Sequence, residues 1–283
     1  MRPNVKPLGA FLAAVALMGA ACARAGAVRG GIDHPTGPHD LILRIDLVGG
    51  FIAPQAQLRR VPVLALYGDG RLVAPGPQIE IYPGPALPNL QVRIVSEAGI
   101  QAILAAARDA GLLGPDRDFG GPRMPDAPTT TFTVVADGAR HVISVQGLGT
   151  VGPAASSPGG DSEALAKLVA FQSKVTDLQA WLPSGSLGPE QTFLTDEMRV
   201  YVLPYQPQQD LPQRTLDWPA GSFGGFLPVL DVTGIRCGAV SGSSLRAVLA
   251  TARAANELTP WRADGRLWTL VFRPLLPDES GCR

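Results

Sequence analysis

The chain has 283 residues with 24 basic and 24 acidic side chains, a formal net charge of zero, and only 17% of its residues are charged. That balance excludes a disordered polyelectrolyte and argues against nucleic acid as a partner, which requires a basic excess or stripe. Gly and Pro supply 60 of the 283 residues but without a period, which excludes a collagen-like helix, and the length allows one large domain or two small ones. All but three of the basic residues are Arg, a bias that a GC-rich genome produces unaided, so it carries no weight as anion chemistry.

Arg2 and Lys6 precede Leu8–Ala21, fourteen uncharged and mostly apolar residues. A spanning helix needs about 20 residues, so this run reads as the apolar centre of a signal peptide over 1–21. Two cleavage patterns compete. Ala21-Cys22-Ala23 is an A-x-A site that would release a free protein. Gly19-Ala20-Ala21-Cys22 resembles the bacterial lipoprotein pattern at three of four positions, departing at Gly19 where that family has Leu, and would leave Cys22 to carry a diacylglycerol. Either way the expectation is export, to the outer face of the membrane through a lipid anchor at Cys22 or into the medium. The cysteines fit this. Lipidation of Cys22 leaves Cys237 and Cys282 to form a disulfide in an oxidising compartment. Their spacing makes no zinc pattern.

Residues 22–40 are Gly/Pro-rich without apolar period and read as a flexible tether. Leu43, Ile45 and Leu47 alternate with Arg44 and Asp46, a strand with period two. Leu64–Tyr67 and Leu72–Val73 flank Asp69-Gly70, which predicts a hairpin with both turn positions at positive φ. Ser96 is placed to cap a helix whose Ile100, Ile103, Leu104 and Ala107 share one face. A second hairpin is predicted around Asp137-Gly138, then a soft loop over 147–160. A long helix from Asp161 follows, with Leu165, Leu168, Val169, Val175, Leu178 and Leu182 on one side. Residues 183–197, opening with Pro-Ser-Gly-Ser-Leu-Gly-Pro, read as a linker between module 1 (41–182) and module 2 (198–283). In module 2, Arg199–Leu203 reads as a strand. Residues 241–260 align without a gap on 96–115, and nine of the twenty positions are identical. Asp264-Gly265 repeats the Asp137-Gly138 turn. The predicted fold class is α+β: two related small modules, each an antiparallel sheet with a helix on one face.

Few residues suggest chemistry. His34 and His39, with Asp33 and Asp40, lie in the expected tether and would not be held for a metal, and His141 reads as an ordinary strand residue. Ala220-Gly221-Ser222-Phe223-Gly224 resembles a nucleophile elbow, but no His follows His141 to complete a triad. Gly147-Leu148-Gly149 lacks the third glycine of a dinucleotide fingerprint. Asp69, Asp116, Asp118, Asp126 and Asp137 fall in turns or loops, where Asp serves the local backbone. No catalytic residue, metal site or cofactor is expected. Trp218, Phe223 and Phe226 cluster in a Gly/Pro-rich stretch, which reads first as a loop packing over its own core and, as the other reading, as a possible binding surface of exposed aromatics.

Leu66–Gly70, Gly121–Thr131 and Arg273–Glu279 followed by Cys282 resemble small extracytoplasmic domains and secreted or lipoprotein families of high-GC Gram-positive bacteria that have no assigned activity. The resemblance implies location and approximate fold and transfers no catalytic residue. The functional expectation is a non-catalytic binding or accessory module of the cell envelope with an envelope protein or peptide as partner. The alternative is an envelope hydrolase using loop carboxylates.

Overall fold

Eight short segments pair into the first sheet of the computed structural model, which describes residues 30–120, 126–149, 161–208, 210–230 and 234–282. They are β1 (Leu41–Val48), β2 (Leu64–Tyr67), β3 (Arg71–Pro75), β4 (Leu90–Ile94), β5 (Arg117–Asp118), β6 (Thr129–Ala136), β7 (Ala139–Gln146) and β8 (Gln191–Thr192). Their order is β5-β7-β6-β1-β2-β3-β4-β8, antiparallel except for β5 with β7. The helices of this half are α1 (Pro54–Leu58), α2 (Glu97–Asp109) and α3 (Ser162–Thr176), the last followed by a 3₁₀ turn over Leu178–Ala180. The second sheet holds β9 (Glu197–Pro204), β10 (Leu216–Asp217), β11 (Leu227–Leu230), β12 (Ile235–Ser241), β13 (Pro260–Ala263) and β14 (Arg266–Pro274), in the order β10-β13-β14-β9-β12-β11. Helix α4 (Gly242–Ala252) packs against it. The fold is α+β with two sheet modules, as the sequence predicts.

Local chemistry explains most elements. Leu43 and Ile45 of β1 face α2 and α3, while Arg44 and Asp46 alternate to the other side. Helix α2 buries Ile100, Ile103, Leu104 and Ala107, and the Ser96 hydroxyl accepts from the Gly99 amide at 3.4 Å. Asp137-Gly138 and Asp264-Gly265 both carry positive φ at both positions (50° and 75°; 51° and 75°), the mirror-image turn that matches strand twist. Asp69-Gly70 differs: only Gly70 has positive φ, closing a three-residue connection with the Gly70 amide bonded to the Tyr67 carbonyl.

Helix α3 also departs from expectation. It stops at Thr176 and buries Leu168, Phe171 and Val175, while Val169 is exposed. Asp161 makes no capping bond because its carboxylate pairs with Arg117 at 2.6 Å. The expected soft loop lies, from residue 150 on, outside the described residues. From Ile32 the expected tether is bonded into the body: Ile32 is buried, and its amide and carbonyl both meet the Gln101 side chain. The expected linker likewise carries β8 and accepts the Ser96 amide on the Ser186 carbonyl. Gly and Pro remove periodicity from such segments, but their backbone groups still need partners.

The hairpins of the two modules enter their sheets differently. In the first, the leading strand β6 pairs with β1; in the second, the trailing strand β14 pairs with β9. The sequence likeness over 96–115 and 241–260 therefore covers a helix, and the strands after it are arranged differently.

Two large cores lie under α2/α3 and under α4. Two smaller ones form on the opposite sheet faces, and the C-terminal segment joins them. Leu276 packs with Ala65, Tyr67 and Val73 of the first sheet, and Cys282 packs with Tyr201 and Val271 of the second. Cys282 is bonded to Cys237 on β12. The loop before β4 reaches across as well: Ala86 sits in the second module's core, with its amide on the Ala255 carbonyl.

Removing this disulfide with Cys282→Ser is expected to cost about 4 kcal/mol, the chain entropy released from the unfolded state for a loop of this size. At about 2–4 °C per kcal/mol, Tm should fall by roughly 8–16 °C. Thermal unfolding with and without reductant checks this: reduction should lower the Tm of the native chain and leave the variant unchanged.

Candidate functional site

The face of the first sheet turned away from α2 and α3 would be expected to be wet. Instead, the C-terminal segment covers part of it with a charged cluster. The Arg44 guanidinium donates to Asp278 at 2.6 Å and to Glu279 at 3.4 Å. Arg273 donates to both Glu279 oxygens, at 2.5 and 2.7 Å, and the Leu276 amide donates to the same carboxylate at 3.0 Å. The Tyr67 hydroxyl donates to Asp278 at 2.7 Å. Arg273 Nε reaches the Arg60 carbonyl, Arg199 Nε the Gly281 carbonyl, and the His39 ring donates to the Pro277 carbonyl.

Burial and charge act in opposite directions here. Burial by itself would raise the Glu279 carboxyl, but the bonds and charge of Arg273, the Leu276 amide and Arg44 hold it below the ordinary carboxylate range. Burial opposes the charge of Arg44, yet Asp278, Tyr67 and Glu279 raise it further. Burial and the bond to Asp278 push the Tyr67 phenol far up. Asp46 is the exception. Burial raises its carboxyl, and the nearby Arg44 and Arg273 only partly offset this.

Beside the cluster lies an open groove of about 580 Å³. Its lining includes Arg44, Asp46, Asp278, Thr133, Val135 and Arg140, together with His39 and Asp40. The Asp46 and Arg140 side chains make no hydrogen bond to another described residue, so among the described residues the groove offers a carboxylate and a guanidinium not taken up by hydrogen bonds. Such an arrangement can hold a ligand carrying both signs of charge.

The chain matches no family model, no curated protein and no solved structure.

The possible binding surface at Trp218, Phe223 and Phe226 is elsewhere and is closed. Trp218 and Phe223 are buried, and Phe226 packs against them. Phe223 lies 5.1 Å from the Trp218 ring and 5.2 Å from Phe226. Arg236 donates to the Phe223, Gly224 and Phe226 carbonyls, folding the loop over its own core. Trp218 and Phe223 thus belong to the core of the second module, with Phe226 half-buried against it, as the loop-over-core reading expects: a loop that lacks strand partners buries its largest side chains to gain apolar area. Cys237 and Cys282 are bonded as expected, and Cys22 lies outside the described residues.

The other weighed residues serve local structure. Asp116 accepts the Val142 amide, Asp118 the Gly120 amide and Asp137 the Asp33 amide. Asp69 pairs with Arg71. The His34 ring lies between the Pro35 carbonyl and Glu97, and the His141 ring donates to the Gly114 carbonyl. Sequence reading missed Arg44, Asp46, Tyr67, Arg140, Asp278 and Glu279. Their one signal was the charged pair alternating on β1, which reads as a solvated face until a distant segment covers it.

Two variants test the electrostatics. Glu279 has a depressed carboxyl, so its stabilisation is present above the ordinary value of 4.5 and lost as pH falls through the folded value. Glu279→Gln should cost roughly 3 kcal/mol at pH 7, the cost of stranding a buried partner, and the deficit should shrink in acid. Asp46 is raised, so its penalty is present at neutral pH and relieved as pH falls toward 3.8. Asp46→Asn should therefore raise Tm at pH 7 and lose that advantage in acid. Melting curves from pH 3 to 8 check both signs.

Proposed function

We propose that this chain is an exported cell-envelope protein, lipid-anchored at Cys22, that binds a peptide or protein segment of the envelope. The observation that carries the binding half is the groove with its uncommitted Asp46 and Arg140. A peptide supplies an amine and a carboxylate, or side chains of both signs, to meet them. The export half is supported by the Cys237–Cys282 pairing, which persists in oxidising compartments, and by the Arg2/Lys6, Leu8–Ala21 and Cys22 pattern. An anchor of several acyl chains would hold the protein at the surface, since each buried CH₂ contributes about 0.8 kcal/mol.

One observation favours a second reading, an envelope hydrolase. Asp46, with its raised carboxyl, faces the same groove as the ion-paired Asp278, and differing carboxyl environments are what acid–base pairs use. In that case Asp46→Asn would abolish turnover of a bound peptide. In the binding role the peptide stays intact and is released whole.

The test has two parts. The intact mass of the protein from the membrane fraction should correspond to a chain starting at a lipid-bearing Cys22, gaining two hydrogens on reduction. A mass retaining residues 1–21 would contradict the anchored form. A pool of short peptides should raise the Tm of the native chain, and Arg140→Glu should remove the shift. If no peptide shifts Tm, the binding role fails.

A further inference from the structure

A second cavity, of about 490 Å³, lies on the helix-covered face of the first sheet, and it differs in kind from the groove. Leu47, Leu64, Leu72 and Ala74 of the sheet line it, together with Val175 and Leu178 from the end of α3 and the 3₁₀ turn. Its volume falls within the ~300–1,000 Å³ of ligand sites, which are mainly apolar with a few placed polar groups. The polar groups here are Arg60, Arg93, Glu190 and Thr176, whose hydroxyl donates to the Ser173 carbonyl. Arg60 spends one nitrogen on the Leu47 and Gly49 carbonyls. Arg93 spends two, on the Gly188 carbonyl and Gln179. Neither pairs with a carboxylate among the described residues, Glu190 included, so each keeps a donor nitrogen and a full charge beside an apolar space.

The surroundings point the same way. Leu47 and Ala74 sit near the ends of β1 and β3, and Leu64 opens β2. Antiparallel pairing therefore places the cavity at the end of the sheet where the 49–63 and 76–89 connections emerge. Those connections expose Phe51, which is 88% accessible, with Ile79, Ile81 and Tyr82 each more than half accessible. An apolar cavity, cations that pair with no carboxylate among the described residues and exposed apolar loops at the same end suit one kind of ligand: an amphiphile whose chain enters the cavity while its anionic head meets the arginines, drawn from an apolar phase that the loops can touch.

We infer that this cavity takes a single acyl chain ending in a carboxylate or phosphate head. The site lies wholly within the folded body, so the inference stands whether or not Cys22 is lipidated or the groove takes a peptide.

The experiment titrates the purified protein with palmitate, with a lysophosphatidylglycerol and with uncharged hexadecanol, following saturation and stoichiometry by native mass spectrometry. One equivalent of an anionic amphiphile should bind saturably. Palmitate alone binding would identify a free fatty acid, and the lysolipid binding would identify a membrane lipid. Ala74→Trp, which fills the cavity, should weaken binding at least tenfold, and this variant also separates the cavity from the apolar run at 8–21. Arg93→Gln should weaken the anionic ligands about tenfold, the worth of a charged hydrogen bond, and leave hexadecanol unchanged. Saturable binding of neither palmitate nor the lysolipid would overturn the inference, as would unchanged binding in Ala74→Trp. Should Ala74→Trp fail to fold by its melting curve, equal palmitate binding by Arg93→Gln and the native chain would overturn it instead.

Discussion

The Glu279 carboxylate, held by Arg273, Arg44 and the Leu276 amide, is the constraint on which the rest of this structure depends. Two sheets each bury one face under helices, and each would leave apolar side chains such as Tyr67, Val73, Tyr201 and Val271 open on the other. The C-terminal segment closes both. Its apolar members, Leu276 and Cys282, provide burial, and its acidic members neutralise the arginines that the two sheets bring together. The disulfide then anchors the end of the segment to β12, so that the carboxylates cannot drift from their partners.

This arrangement also shapes the groove. Arg44 is committed to Asp278 and Glu279, and the Asp46 side chain, two residues along the same strand, makes no hydrogen bond to another described residue. A fully paired surface would have no charge to offer a ligand; a wholly unpaired one would cost stability through burial. The tail divides the strand's charged face into a part paired with its carboxylates and a part facing the groove. The apolar cavity lies on the opposite face of the same sheet, so the protein carries two chemically distinct openings on one scaffold.

Much of the fold was legible because local rules carry it. Alternation on β1, the Asp137-Gly138 and Asp264-Gly265 turns and the stripe of α2 need only neighbours along the chain. The disulfide followed from counting cysteines. The candidate site was not legible, for a physical reason: Arg44 and Glu279 are separated by 235 positions, and no local pattern marks their meeting. Trp218, Phe223 and Phe226 show the converse: Gly and Pro around them leave both a core-packing loop and an exposed surface open, and the core-packing reading holds because burying large aromatics outweighs the lack of regular backbone partners. Residues 32–40 and 183–197 behave alike, irregular in sequence yet bonded into the body.

Scanning calorimetry of the native chain against a chain ending at Leu276 tests the clamp most directly. If the tail couples the two sheets, the native protein melts in one transition with calorimetric and van't Hoff enthalpies in a ratio of about one, and the shortened chain melts in two. Two resolved transitions in the native protein, or one unchanged transition in the shortened chain, would contradict it.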